Sequence, residues 1–174
     1  PIKFHDWIGE GWAILFSHPA DFTPVCTTEL GVVAKLAKSG EFAKRNTKVI
    51  AISCDEVSNH LGWQDDILAY NSLEKSEGEH PFPYPIIADP KRALAVTFGM
   101  IDPLEIDKAG LPLTARAVFV IDPKKKLRLS ILYPATTGRN FNEILRVLDS
   151  LQLTEYNQVA TPADWKQGDK CMVL

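Results

Sequence analysis

Two short apolar runs, WAILFS at residues 12–17 and KVIAIS at 48–53, enclose a segment whose apolar residues recur at helical spacing. This restricts the fold more than any other feature. A short continuous apolar run, five residues at 12–16 and four at 49–52, is the pattern of a strand covered on both faces. Between the two runs, Leu30, Val33, Ala34 and Ala37 fall on one face of a helix over residues 25–38. A strand, helix, strand unit places its strands parallel, with a right-handed crossover.

The remaining pattern extends this unit. Leu61, Ile67, Leu68 and Tyr70 predict a helix over 58–70, with Ser58 or Asn59 as its N-cap. A loop follows at Pro81, Pro83 and Pro85, then a strand at 86–88 and a short helix at 93–98. Two β-rich runs, 115–121 and 127–133, flank Asp122-Pro-Lys-Lys-Lys126, a hairpin signature. Residues 141–151 read as an amphipathic helix with Ile144, Leu145 and Leu148 inward. The order predicts an α/β fold with a mixed central sheet flanked by helices, compatible with a thioredoxin-like architecture. Residues 154–174 are irregular and polar, the expected arm lying on the body or on a partner. The division expected is a core over 1–133 and a C-terminal helix and arm over 134–174.

Composition excludes several classes. With 174 residues, 45% hydrophobic and 24% charged, the chain fits one core of ordinary size. A net charge of -3 and no basic run beyond Lys124-Lys125-Lys126 give no footprint for nucleic acid. The apolar stretches fall far short of the roughly 20 residues of a membrane span. Cys26, Cys54 and Cys171 lie far apart with no C-x-x-C pair, against a zinc ribbon or a dithiol redox motif. So sparse a set suits a reducing compartment, and the cytoplasm is the expected location. The chain opens at Pro1 without a signal segment and is expected to be cut at both ends, with N-terminal strands missing.

Cys26 sits where a strand end meets the first turn of a helix. Unpaired amides and the helix dipole stabilise an anion there, so a thiolate at Cys26 is favoured. Thr23, three residues upstream, brings a hydroxyl near the sulfur, to accept from or donate to a small polar substrate. Pro19 and Pro24 stiffen the loop. Glu29, on the next turn, can hold a distant arginine through a bidentate pair. The same residues also admit a plainer reading, with Cys26 as a small buried apolar side chain, Thr23 as an N-cap and Glu29 as its capping-box partner.

The whole string decides between these readings. His18-Pro-Ala-Asp-Phe-Thr-Pro-Val-Cys-Thr-Thr-Glu29 contains Pro-x-x-x-Thr-x-x-Cys and resembles the active site of the peroxiredoxins, in particular the one-cysteine, peroxiredoxin-6-like group. The resemblance continues through Leu113-Thr-Ala-Arg116, Leu129-Ser-Ile-Leu-Tyr-Pro-Ala-Thr-Thr-Gly-Arg-Asn140 and Val159-Ala-Thr-Pro-Ala-Asp-Trp165. It implies a thiol-dependent peroxidase of antioxidant defence, in which Cys26 attacks hydrogen peroxide or an organic or lipid hydroperoxide and becomes a sulfenic acid. Pro19, Thr23 and Arg116 match the family's catalytic set, with Arg116 stabilising the thiolate and polarising the peroxide. His18, Arg139 and Glu29 match pocket residues. The chemistry needs no metal and no organic cofactor.

In two-cysteine relatives a resolving cysteine precedes the Pro-Ala matched here by Pro162-Ala163, and Thr161 stands in its place. The resemblance therefore implies an external thiol reductant, such as glutathione delivered by a glutathione transferase, and a homodimer. Cys54 reads as a packed structural residue; Cys171, in the tail, has no assigned partner. Part of the group carries a phospholipase site in a Gly-x-Ser-x-Gly motif. The matching segment is Gly9-Glu-Gly11-Trp-Ala13, with glycine for the serine and Lys124 for the aspartate, and His5 alone cannot run acyl transfer. A non-enzymatic role as peroxide sensor or holdase is the remaining class.

Overall fold

The computed structural model describes residues 1–77 and 81–174. Two compact units emerge, Pro1–Arg139 and Asn140–Leu174. In the first, a five-stranded sheet has the order β3-β2-β1-β6-β7. Its strands are β1 (Trp12–Ser17), β2 (Thr47–Ser53), β3 (Ile86–Ala88), β6 (Arg116–Ile121) and β7 (Leu127–Tyr133). β1 pairs parallel with β2 and β2 with β3, whereas β6 runs antiparallel to both β1 and β7. This is the mixed sheet expected, and β1 and β6 are buried along their whole lengths, as continuous apolar runs require.

Alternation along the strands separates two faces. Ala13, Leu15, Ile50, Ile52, Ala117, Phe119 and Ile121 share one core with Ile8, and Phe4 and Trp7 of α1 (Phe4–Ile8) pack against it. On the opposite side, Phe16 meets the edge of Tyr84, whose hydroxyl donates to the Leu30 carbonyl of α2 (Pro24–Lys38) at 2.7 Å. The helix α3 (Val57–Tyr70) closes on α2 where Gly31 leaves no side chain: a Cβ there would fall 1.7 Å from Asn71 Nδ2. Asn71 fills that space and donates to Thr27 O at 3.2 Å.

Several expectations need correcting. The cap of α3 is Glu56, with no side-chain hydrogen bond, rather than Ser58 or Asn59. Leu61 and Tyr70 point outward, at 63% and 68% exposure, while His60, Trp63, Ile67 and Leu68 form the buried face. A polar histidine had masked the i, i+3, i+7 stripe. Beyond α4 (Ala93–Thr97), an antiparallel pair of β4 (Ile101–Ile106) and β5 (Pro112–Thr114) was not foreseen. Its strands carry prolines and acidic residues and present exposed Leu104 and Ile106, which hides the alternation.

The second unit is more regular than the polar tail suggested. Its helix α5 (Phe141–Tyr156) runs past residue 151 and is capped by Asn140, whose side chain accepts from the Asn142 and Glu143 amides. Phe141, Ile144, Leu145, Val147 and Leu148 are buried. Within this unit β8 (Val159–Ala160) pairs with β9 (Met172–Val173), and the Arg146 guanidinium donates to the Trp165 carbonyl at 3.1 Å.

Candidate active site

Antiparallel pairing sets the beginning of β6 beside the end of β1, and that junction assembles the site. Ser17 ties the two together: its hydroxyl donates to Ala115 O at 2.6 Å and accepts from the Ala117 amide at 3.0 Å. The chain leaves β1 at His18, passes through Pro19 to Thr23, and enters α2 with Pro24 at its first turn. Proline fits there because the first turn has no intrahelical acceptor for an N–H. Cys26 lies in that turn, fully buried.

Arg116, the first residue of β6, reaches across to it. Its Nη1 lies 3.3 Å from Cys26 Sγ and 2.7 Å from Glu29 Oε2. Nε and Nη2 both donate to the Ala135 carbonyl, at 2.8 and 2.6 Å. The guanidinium is thereby fixed in plane, with one nitrogen on the sulfur.

Glu29 is the common anchor. Arg139 binds it in the bidentate manner expected of a distant arginine, Nε to Oε1 at 3.0 Å and Nη2 to Oε2 at 2.8 Å, and the Arg139 amide adds a bond at 2.7 Å. The remaining Arg139 nitrogen donates to the Ser17 and Ala117 carbonyls at 2.8 and 2.9 Å. Arg139 is therefore spent on Glu29 and the backbone. Burial alone would raise the Glu29 carboxyl, but the charges and hydrogen bonds of Arg139, with the charge of Arg116, outweigh it and hold the group below its ordinary value.

Thr23 is the N-cap residue by backbone but makes no capping bond. Its hydroxyl donates to Ala20 O at 2.8 Å, which leaves the oxygen lone pairs as acceptors. Pro19 is buried. His18 is fully buried, and its Nε2 meets Asp21 Oδ1 at 2.7 Å. Burial holds the His18 ring below its ordinary protonation range.

Sequence reasoning missed the partners of this histidine. Asp21 Oδ2 meets His60 Nδ1 at 2.6 Å, and the Asp21 amide donates to Asp55 at 3.0 Å. Burial pushes the Asp21 carboxyl up, yet the hydrogen bonds from His18 and His60 bring it down to about 2. Trp63 lies against His18 and donates to Thr27 Oγ1 at 3.2 Å. The buried stripe His60, Trp63, Ile67 would have revealed this set, had histidine been admitted to it. His18, Asp21 and His60 are also metal-ligating residue types, but the contacts they make are to one another.

Cys54 is buried at the end of β2, and burial raises its thiol to about 11. Cys171 is exposed.

The profile of the AhpC/TSA family matches residues 1–130, and that of the C-terminal domain of 1-Cys peroxiredoxin matches 150–174. The chain is a peroxiredoxin. It is 65% identical to the peroxiredoxin-6 of Gallus gallus over 173 residues, which is 99% of this chain and 75% of that protein. With the peroxiredoxin-6 of Homo sapiens the identity is 64% over the same shares. A mutant of the peroxiredoxin 6 of Arenicola marina superposes with a TM-score of 0.92 at 60% identity, covering 99% of this chain and 76% of that one. The yeast mitochondrial 1-Cys peroxiredoxin does so with a TM-score of 0.87 at 45% identity, over 99% and 78%. The fold is thioredoxin-like, as these neighbours are. As a member of the one-cysteine, peroxiredoxin-6-like group, the protein is a thiol-dependent peroxidase, an oxidoreductase.

Proposed function

We propose that Cys26 is the peroxidatic nucleophile, that Arg116 and Thr23 orient the hydroperoxide, and that an external thiol closes the cycle. The contact of Arg116 Nη1 with Cys26 Sγ at 3.3 Å carries this reading. The thiolate attacks the terminal oxygen of the hydroperoxide. An S–O bond forms as the O–O bond breaks, the leaving oxygen takes a proton to become water or an alcohol, and the sulfur is left as a sulfenic acid. Negative charge moves from sulfur to the leaving oxygen. Arg116 has a second Nη2–H with no acceptor among the described residues, and the first turn of α2 offers the Val25 and Cys26 amides. These donors follow the charge, so stabilisation grows towards the transition state. Thr23, its proton engaged by Ala20, accepts from the hydroperoxide OH. Pro19 lies buried in the loop, and Glu29, itself held by Arg139, keeps Arg116 in register.

The substrates are hydrogen peroxide and organic or lipid hydroperoxides, and the role is antioxidant defence. The reductant is glutathione, with a glutathione transferase as the delivering partner. The yeast relative's thiol resolving mechanism runs through glutathione/thioredoxin systems, and the high Cys54 thiol argues against internal resolution from β2. The assembly is a homodimer, for which the outer strand β7, with Leu127 and Leu132 exposed, offers an edge. The location is the cytoplasm; among the described residues no helix is long and apolar enough to cross a membrane. The domains are a core over 1–133 and a C-terminal region over 134–174. The lipase reading lacks its nucleophile, and a Cβ at Gly11 would lie 2.7 Å from the Asn46 carbonyl oxygen.

Rapid mixing of reduced protein with hydrogen peroxide, followed by intact mass, tests the assignment. A single added oxygen that disappears in Cys26→Ser supports it; unchanged uptake in that variant sinks it. Turnover with glutathione plus a transferase, set against thioredoxin, identifies the reductant.

A further inference from the structure

The backbone ladder between β1 and β6 stops just short of the active site. Its last pair is Phe16 with Val118, so the same register carried onward sets Ser17 opposite Ala117 and His18 opposite Arg116. Pro19 follows and has no N–H with which to continue a ladder. Side chains take over at this point. The Ser17 hydroxyl donates to the Ala115 carbonyl at 2.6 Å and accepts from the Ala117 amide at 3.0 Å. One oxygen thus grips both chain neighbours of Arg116. Beyond it, the Thr114 hydroxyl donates to the His18 carbonyl at 2.7 Å. Ser17 and Thr114 are both fully buried, so water does not compete for these bonds.

On its other side β6 is held by β7, where Arg116 pairs with Tyr133, and the Arg116 guanidinium is held by the Ala135 carbonyl. Those contacts set Arg116 relative to β7. Cys26 belongs to the chain that continues β1, and the bonds of Ser17 and Thr114 cross from that chain to the residues around Arg116. Arg139 reinforces the crossing, its Nη1 donating to the Ser17 and Ala117 carbonyls at 2.8 and 2.9 Å.

Each of the two hydroxyl protons is spent on a backbone carbonyl, so neither is offered to a substrate. Whatever the pair does for the chemistry, it does through the residues it holds.

We propose that Ser17 and Thr114 are positioning residues for the peroxidase reaction: their hydroxyls, replacing the ladder where it ends, hold the start of β6 in register with the chain that leads to Cys26 and so keep Arg116 Nη1 on the sulfur. The proposal rests on the peroxidase function above and deepens it. Without the Ser17 hydroxyl, the Ala115 carbonyl and the Ala117 amide each lose a buried partner, and the strand ends part to find another. Arg116 moves with β6, away from a contact that tolerates little displacement, since a shift of about 1 Å can cost about 10²-fold in rate.

The test is a double-mutant cycle on the whole chain, with the second-order rate towards hydrogen peroxide read by stopped flow. Ser17→Ala removes the hydroxyl and little volume, and should react about tenfold more slowly or worse. In an Arg116→Lys background the loss from the same substitution should shrink to about twofold or less, because a residue that acts through another is not additive with it. A Ser17→Ala chain with the wild-type rate, or a loss that persists undiminished in the Arg116→Lys background, overturns the proposal. Thr114→Val, which keeps the shape without the hydroxyl, should follow Ser17→Ala, and Thr114→Ser should restore the rate; a Thr114→Ser chain as slow as Thr114→Val overturns the part given to that hydroxyl. If Ser17→Ala does not fold, the Thr114 variants taken through the same cycle decide. A crystal structure of Ser17→Ala should show Arg116 Nη1 withdrawn from Cys26 Sγ by about 1 Å, and one with the 3.3 Å contact intact overturns the proposal. A wild-type chain inert to hydrogen peroxide would instead sink the peroxidase reading, and the crystal structure would still judge the placing of Arg116.

Discussion

Arg116 places a single nitrogen, Nη1, 3.3 Å from Cys26 Sγ while the same nitrogen holds Glu29 at 2.7 Å. The guanidinium thus shares its charge between the Glu29 carboxylate and the Cys26 sulfur. Lysine has one nitrogen on a flexible stem and cannot meet Cys26, Glu29 and the Ala135 carbonyl together. Arg116→Lys should lower the second-order rate with hydrogen peroxide by about 10²–10³ fold, the loss typical of one misplaced oxyanion donor. Stopped-flow tryptophan fluorescence checks this, and a tenfold or smaller loss would show that the charge alone suffices.

Glu29 is 3% exposed and compensates two buried guanidinium groups. Glu29→Gln preserves the shape and removes the charge, leaving Arg116 and Arg139 in the interior without a counter-ion. A loss of about 3–5 kcal/mol is expected, as for other broken buried ion clusters. Urea unfolding measures it.

Acid should weaken the fold in two stages. His18 is held below its ordinary range, so the unfolded chain binds its proton more readily, and stability falls as pH drops below about 6.5. The Asp21 carboxyl is held at about 2, and Glu29 is also lowered, so their contributions are complete above about 4 and are lost as pH falls towards 2. Urea midpoints across pH 7 to 2 should trace both steps. In Asp21→Asn the lower step should shrink.

Cys54, with its thiol raised to about 11, is a neutral thiol at physiological pH, whereas Cys171 is exposed. Thiolate is the reactive form. In the native protein, alkylation followed by peptide mass should label Cys171 promptly and Cys54 only on unfolding. Cys54→Ala with Cys171→Ser should keep the rate with hydrogen peroxide within about twofold; a larger fall would give one of them a part in the chemistry.

How much of this was legible beforehand depended on how each residue is held. The buried strands and the helix carrying Cys26 announce themselves because continuous apolar runs and a 3.6-residue stripe are local patterns. Glu29 could be given a distant arginine because a carboxylate on the turn after Cys26 is able to hold one through a bidentate pair, although nothing local says which arginine. The His60 contact was hidden, since its meaning lies in Asp21, 39 residues away, and in a carbonyl of β3. The β4–β5 pair was hidden too, because exposed strands need no alternation.

The pairing of β1 with β6 has a consequence for the order in which the enzyme becomes active. Cys26 and Arg116 are 90 residues apart, and Arg139 follows later still. A chain emerging from the ribosome exposes its cysteine long before the strand that supplies Arg116 has been made. Until that strand docks, no guanidinium stands beside the sulfur. The Arg116–Cys26 contact is therefore a late product of folding, formed only once β6 has paired with β1.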